Sequence, residues 1–126
     1  MVEFSLVVGL FVFILYGLIA FGMILATKQR ITNAAAEGAR AAVGAASGLT
    51  DTTAQQDAAR AAAVARVAAA GLPVGHSATY TFADCATCIT VTITYDLDGH
   101  PVVPPAPGLG LITPGTITSK AVVQYL

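Results

Sequence analysis

The sequence predicts an α+β fold, in which a long N-terminal hydrophobic helix is followed by a second helix packed on a small three-stranded antiparallel sheet. Two observations lead to this prediction. Residues 4–27 form an apolar run without a charged side chain, which as a helix is long enough to cross a hydrocarbon core of roughly 30 Å. After Pro73, apolar residues recur at every second position, which is the spacing of half-buried strands.

The composition limits the class of protein. The chain has 126 residues, of which 56% are hydrophobic and 10% are charged, and its formal net charge is -1. Soluble domains carry nearer a quarter of charged residues, so the apolar run belongs in a membrane or in an equally dry environment. Because no cluster of basic residues is available to neutralise phosphates, we expect no nucleic-acid partner.

Glu3 lies at the head of the apolar run. A carboxylate in that position is costly unless it becomes neutral or meets a cation, which makes Glu3 a candidate functional residue. The alternative is an interfacial acid that the helix dipole stabilises.

Gly9, Gly17 and Gly22 lie within the run, and each costs about 1 kcal/mol relative to Ala in a soluble helix. Close helix packing or a local bend is the expected reason for at least one of them.

The first helix is predicted to continue through an Ala-rich stretch to about Ala46, because no proline interrupts it. Glu37 and Arg40 lie three residues apart, on one face of this helix. A capped restart near Asp51 begins a second helix, with Gly71 as its stop. Alanine dominates both helices and would allow their backbones to approach closely, although high helix propensity alone is an alternative explanation.

Three strands are predicted after the second helix. Residues 78–82 and 89–95 alternate apolar side chains with threonine, and residues 117–126 repeat the alternation. Residues 97–115 hold five of the six prolines, so this segment is expected to form a surface loop rather than a central strand. Residues 50–126 are therefore expected to form a small α+β head.

Cys85 and Cys88 form a C-x-x-C motif between the first two predicted strands. We interpret the pair as a disulfide that closes the tip of a hairpin. A redox pair would be expected at a helix N-terminus beside a strand, and a zinc site with His76 and His100 is the other alternative. The sequence contains no nucleophile elbow, phosphate loop or paired-carboxylate cluster, so we expect no enzymatic activity and no cofactor.

Two signals conflict on the orientation of the head. Lys28 and Arg30 follow the apolar run, and by the positive-inside rule they would place the head in the cytoplasm. The cysteine pair instead suits an oxidising compartment. A secretory signal peptide would need a basic n-region, a shorter apolar core and a small-residue cleavage site, and none of the three is clear.

A V-E-F start before an apolar helix, followed by T-N-A-A-A-E-G-A-R-A-A at residues 32–42, resembles the TadE-like pilins of tight-adherence (type IVc) pili. The resemblance covers about the first 45 residues strongly and the head loosely. It implies a precursor whose basic leader is cut by a prepilin peptidase, which would resolve the conflict over orientation. It also implies that residues 1–46 form the long helix, with residues 1–28 first in the inner membrane and then in the core of an extracellular filament of identical copies, built by the pilus assembly machinery.

The resemblance implies roles for individual residues as well. Glu3 would pair with the N-terminal ammonium of a neighbouring subunit, and Phe4, Gly9, Gly17 and Gly22 would belong to the assembly surface. In the wider pilin family this glutamate is fifth in the mature chain, whereas here it is third in the sequence. The implied function is a structural pilus subunit for surface adhesion. The alternative is a membrane-anchored minor pseudopilin or accessory binding protein that does not form the shaft.

Overall fold

The protein is represented by a computed structural model that describes residues 2–82, 87–104 and 114–125. Within these residues lie two helices, α1 (Val2–Ala46) and α2 (Thr52–Ala69). Three strands follow, β1 (His76–Thr81), β2 (Cys88–Asp96) and β3 (Thr116–Gln124). The predicted α+β fold class, with a long apolar helix, a second helix and a three-stranded antiparallel sheet, is confirmed.

Helix α1 is continuous over 45 residues, which corresponds to a length of roughly 68 Å. Its first part projects from the rest of the molecule, and its second part packs on the head. From Ala20 to Ala46 the buried side chains recur every three or four residues, so they form one stripe along the helix. The head is therefore attached to a single face of α1.

The turn between the helices has the predicted caps. The Asp51 carboxylate accepts a hydrogen bond from the backbone nitrogen of Thr53 at 3.3 Å, while the Asp51 backbone stays extended with φ -92° and ψ 126°. Helix α2 ends shortly before Gly71, whose φ of 60° lies in the left-handed region that favours glycine. The two signals limit α2 to 18 residues, and α2 packs back against α1.

The sheet is antiparallel with the order β1-β2-β3, so β2 lies at its centre. In the register of the strands, Tyr80 lies opposite Val91, and Val91 lies opposite Ala121. Ile89, Val91 and Ile93 are fully buried and belong to the hydrophobic core. Because side chains alternate along a strand, the threonines between them point to the other face of the sheet.

The core lies between the sheet and both helices, and alanine supplies much of it. Fully buried alanines on the two helices include Ala35, Ala39 and Ala42 of α1 and Ala59 and Ala63 of α2. Their small side chains let the two backbones approach closely. The close-packing interpretation of the Ala-rich stretch therefore holds where α1 meets α2.

The structure describes both ends of the predicted loop at residues 97–115, whereas residues 105–113 lie outside the described part of the chain. The backbone nitrogen of Asp98 donates a hydrogen bond to the Asp96 carboxylate at 3.0 Å, which makes an Asx turn directly after β2. The backbone nitrogen of Leu97 donates to the carbonyl oxygen of Gly115 at 2.9 Å. The loop therefore leaves and re-enters the sheet at the same point.

Candidate membrane and assembly surface

The N-terminal part of α1 extends beyond the head. We call residues 2–15 the apolar segment, and each of its residues is exposed, with Val2 at 82% and Phe4 at 75% of their full accessibility. A continuous apolar surface of this extent marks a contact with a membrane or with protein. By length and composition α1 is long and apolar enough to cross a membrane. The N-terminal helix is thus suited to membrane anchoring.

Glu3 lies in the first turn of α1 and is exposed on the apolar segment. Among the described residues the salt bridges all involve Glu37, so Glu3 has no cationic partner there. A contact that removes water from this segment would leave the Glu3 carboxylate without solvation, at a cost that the helix dipole offsets only in part. A cation that pairs with Glu3 in such an environment would have to come from outside the described residues.

Three glycines leave gaps in the surface of α1. A Cβ atom built on Gly9, Gly17 or Gly22 meets nothing within 4 Å, so packing against the described residues of the same chain does not require glycine at these positions. The gaps are open to another molecule. Gly38 differs, because a Cβ there would lie 2.9 Å from Cγ2 of Val67. Close packing within the chain thus occurs at a glycine that sequence analysis did not select.

The head contacts α1 well inside the apolar run. The Tyr16 hydroxyl donates a hydrogen bond to the carbonyl oxygen of Pro104, and Ala20, Ile24 and Thr27 are buried. One face of residues 16–27 is therefore covered by the head, whereas the sequence shows only a uniformly apolar stretch. No local pattern could have revealed this contact, because Tyr16 and Pro104 are 88 residues apart in the chain.

A groove with a volume of about 490 Å³ opens between α1 and the start of β3. We call it the α1–β3 groove, and among the described residues its lining includes Phe13, Gly17, Phe21, Ile24, Leu25, Lys28, Pro114, Thr116, Ile117 and Thr118. Most of these side chains are apolar, and Lys28 is the single charged one among them. Along α1 the groove extends from Phe13 to Lys28, a distance of about 22 Å.

A small ionic cluster joins the two helices. Glu37 contacts Arg40 at 3.3 Å and Arg66 at 3.8 Å. The predicted pairing of Glu37 with Arg40 is confirmed, and Arg66 adds a link to α2. These side chains are about half exposed or more, so each pair contributes little to stability.

The C-x-x-C motif is only partly described. Cys85 lies outside the described residues, so the disulfide stays a prediction, while Cys88 begins β2 and is buried. The Nδ1 atom of His76 lies 2.9 Å from the carbonyl oxygen of Pro73, and His100 is exposed. Within residues 2–82, 87–104 and 114–125, no group of three His, Cys, Asp or Glu side chains is arranged to hold a metal ion.

The N-terminal residues match a known family. Residues 1–40 fit the family model described as TadE-like protein, which confirms the resemblance over this part of the chain. The matched segment contains the apolar segment, Glu3 and the three open glycines of α1, and it ends before α2 and the sheet begin. Comparisons with curated proteins and with solved structures gave no match.

Proposed function

Because residues 1–40 match the TadE-like family, we propose that this chain is a structural subunit of a tight-adherence pilus. In this proposal, copies of the chain polymerise through α1 into an extracellular filament that serves surface adhesion, and the chain has no enzymatic activity. The match to the family supports an association with the tight-adherence pilus. The role in the filament itself is our inference from the surface of α1.

The observation that carries the proposal is the exposed apolar segment at residues 2–15, beside a head that covers only one face of the helix further along. Hydrocarbon would cover this segment while the subunit waits in the inner membrane after a prepilin peptidase has cut its precursor. The helices of neighbouring copies would cover the same surface in the filament. The segment then stays dry in both states, and the pilus assembly machinery has only to exchange lipid contacts for protein contacts.

Glu3 has the charge that such an assembly needs. In the filament we propose that its carboxylate pairs with the N-terminal ammonium of a neighbouring subunit. Each charge would be expensive alone in a dry core, and a buried pair that loses one partner is typically destabilised by about 3 to 5 kcal/mol. Phe4 and the glycines at positions 9, 17 and 22 would belong to the same assembly surface along α1, because nothing in the described chain occupies the space beside those glycines.

The test is the Glu3→Gln variant, expressed with the complete pilus assembly machinery. We expect a normal level of the variant in the inner membrane and a loss of filaments from the cell surface, measured by immunoblotting of membranes and by electron microscopy of sheared appendages. Glu37→Gln is the matched control, since it removes the same charge from an exposed position on the head side of α1, and it should leave filaments in place.

The alternative, a minor pseudopilin or membrane-anchored accessory protein, predicts the opposite effect of Glu3→Gln. For an anchor, Glu3→Gln is harmless or slightly favourable, because the substitution lowers the desolvation cost at the edge of the apolar run. Filaments at wild-type abundance in the Glu3→Gln strain would contradict the proposed assembly role and would leave Glu3 as an interfacial acid.

A further inference from the structure

We propose that the α1–β3 groove binds one anionic phospholipid, with an acyl chain along the groove and the phosphate beside Lys28. The proposal rests on the placement of α1 in a membrane and does not require that the chain forms a filament. It follows from the shape of the groove, from its described lining and from the position of Lys28, the one charged residue among the described lining residues.

The groove has the dimensions of a binding site for a long acyl chain. It occupies about 490 Å³, within the range of ordinary ligand sites, and it extends about 22 Å along α1. One wall is the helix surface, with Phe21 beside the gap left by Gly17. The other wall is the start of β3, including Ile117 and the preceding Pro114. The Tyr16 to Pro104 hydrogen bond holds the head against the helix at this level.

Water is a poor occupant for this groove. A bound water needs two to four polar partners, and the polar side chains of the lining are Lys28 and two threonines. An empty groove would leave the lining atoms without dispersion contacts on one side. The groove lies along residues 13–28 of the helix that is apolar enough to cross a membrane. The acyl chains of membrane lipids would therefore surround the groove and could fill it.

Lys28 favours a phospholipid with an anionic headgroup. It is the first charged residue after Glu3, so it lies where the apolar run ends and where phosphates of a bilayer are found. The salt bridges in the described part of the chain join Glu37 to two arginines, and Lys28 has no carboxylate partner there. An ammonium group next to a phosphate forms a charge-assisted hydrogen bond.

While the chain lies in the membrane, a second copy fits the groove less well than a lipid does, and contacts of Gly17 with a neighbouring helix belong to the proposed filament. The apolar segment of a neighbour carries one charge, at Glu3, which lies at the very start of its helix. If a parallel neighbour placed its Glu3 beside Lys28, its helix would continue away from Phe13 and leave the groove uncovered. A neighbour that covered the groove instead would bring no carboxylate to Lys28. A phospholipid supplies both the apolar chain and the anion.

The test is native mass spectrometry of the full chain, extracted from bacterial membranes in mild detergent and probed with phosphatidylglycerol. We expect one bound phospholipid per chain in the wild-type protein. Lys28→Gln should weaken its retention roughly tenfold, the usual effect of losing one charge-assisted hydrogen bond. Gly17→Leu should abolish retention, because the added side chain occupies the groove.

Two controls separate this site from general lipid adhesion. Arg30→Gln removes a neighbouring cation that does not line the groove, and Gly22→Leu adds the same bulk at an open position outside it. Both should retain the lipid, and circular dichroism should show equal helix content in all variants. Absence of lipid from the wild-type chain, equal losses from Lys28→Gln and Arg30→Gln, or dimers in place of the lipid adduct would overturn the proposal.

Discussion

Gly38 and Val67 lie in close contact where α1 meets α2, since a Cβ atom at Gly38 would lie 2.9 Å from Cγ2 of Val67. The same Cβ would lie 3.5 Å from the backbone oxygen of Ala63. Val67 is buried and, as a β-branched residue, has little rotamer freedom in a helix. The glycine is therefore required by the packing of α1 against α2, even though glycine lowers helix propensity.

We predict that Gly38→Ala destabilises the protein. Overpacking typically costs about 1 to 3 kcal/mol, which exceeds or cancels the gain of about 1 kcal/mol in helix propensity. Gly44→Ala is the control, because Gly44 lies in the same helix with open space around it, and it should be stabilising. Denaturant unfolding in detergent micelles measures both. Equal stabilisation by the two substitutions would show that the interface between α1 and α2 accommodates the added methyl group without a loss of stability.

The open glycines of the apolar run give a second prediction, which belongs to the proposed pilus function. Gly17→Leu and Gly22→Leu should enter the membrane normally and assemble poorly, because a bulky side chain blocks the approach of a neighbouring helix. Fibre yield is the quantity to measure. Gly44→Leu serves as a control for added bulk outside the apolar run. Undiminished filaments from both variants would mean that these glycines do not serve helix contacts.

Cys85 and Cys88 are predicted to form a disulfide. The closed loop is short, so its contribution should fall toward the low end of roughly 2 to 4 kcal/mol. Mass spectrometry of non-reduced protein from the cell surface should find the two thiols absent, and the double variant with serine at both positions should unfold at a lower denaturant concentration. Two free thiols in that material would rule out the bond.

The Tyr80 phenol gives a prediction about pH. Burial of this side chain raises its pKa above the usual value of 10.0. The folded state therefore holds the phenolic proton more tightly than the unfolded state does. This contribution to the free energy of unfolding is complete below pH 10 and is lost as the pH rises toward the folded pKa.

The expected result is a fall in stability above about pH 10 that is less steep in Tyr80→Phe than in the wild-type protein. Denaturant titrations of the full chain at a series of alkaline pH values give the slope, and the other tyrosines contribute equally to both proteins. Identical slopes would show that the Tyr80 phenol has the same pKa in the folded and unfolded chain.

Much of the fold was predictable because its signals are local. The cap at Asp51, the stop at Gly71 and the alternation of apolar residues with threonine in β2 each depend on neighbours within a few positions. The long uninterrupted helix was predictable from the local sequence in the same way. These features need no knowledge of what the rest of the chain does.

The candidate site was predictable only in part. Glu3 and the glycines of the apolar run were predictable candidates, because charge and glycine stand out against leucine and valine. Gly38 could not be told apart from Gly44 in the same way, since tertiary packing decides which face of α1 meets α2. The α1–β3 groove was also missed, because its walls come from α1 and from residues 114–118, and contacts at such separation in sequence leave no periodic signal.

The hydrogen bond from Tyr16 to Pro104 limits the length of α1 that can enter a bilayer without the head. The part of α1 before Tyr16, residues 2–15, is about 21 Å long, whereas the hydrocarbon core is roughly 30 Å thick. Because of this hydrophobic mismatch, the side of the head that carries the α1–β3 groove has to enter the bilayer surface together with residues 16–28 of α1. In the proposed pilus role, this local deformation of the bilayer would be relieved when the subunit is withdrawn, so the immersed head would favour extraction of the subunit.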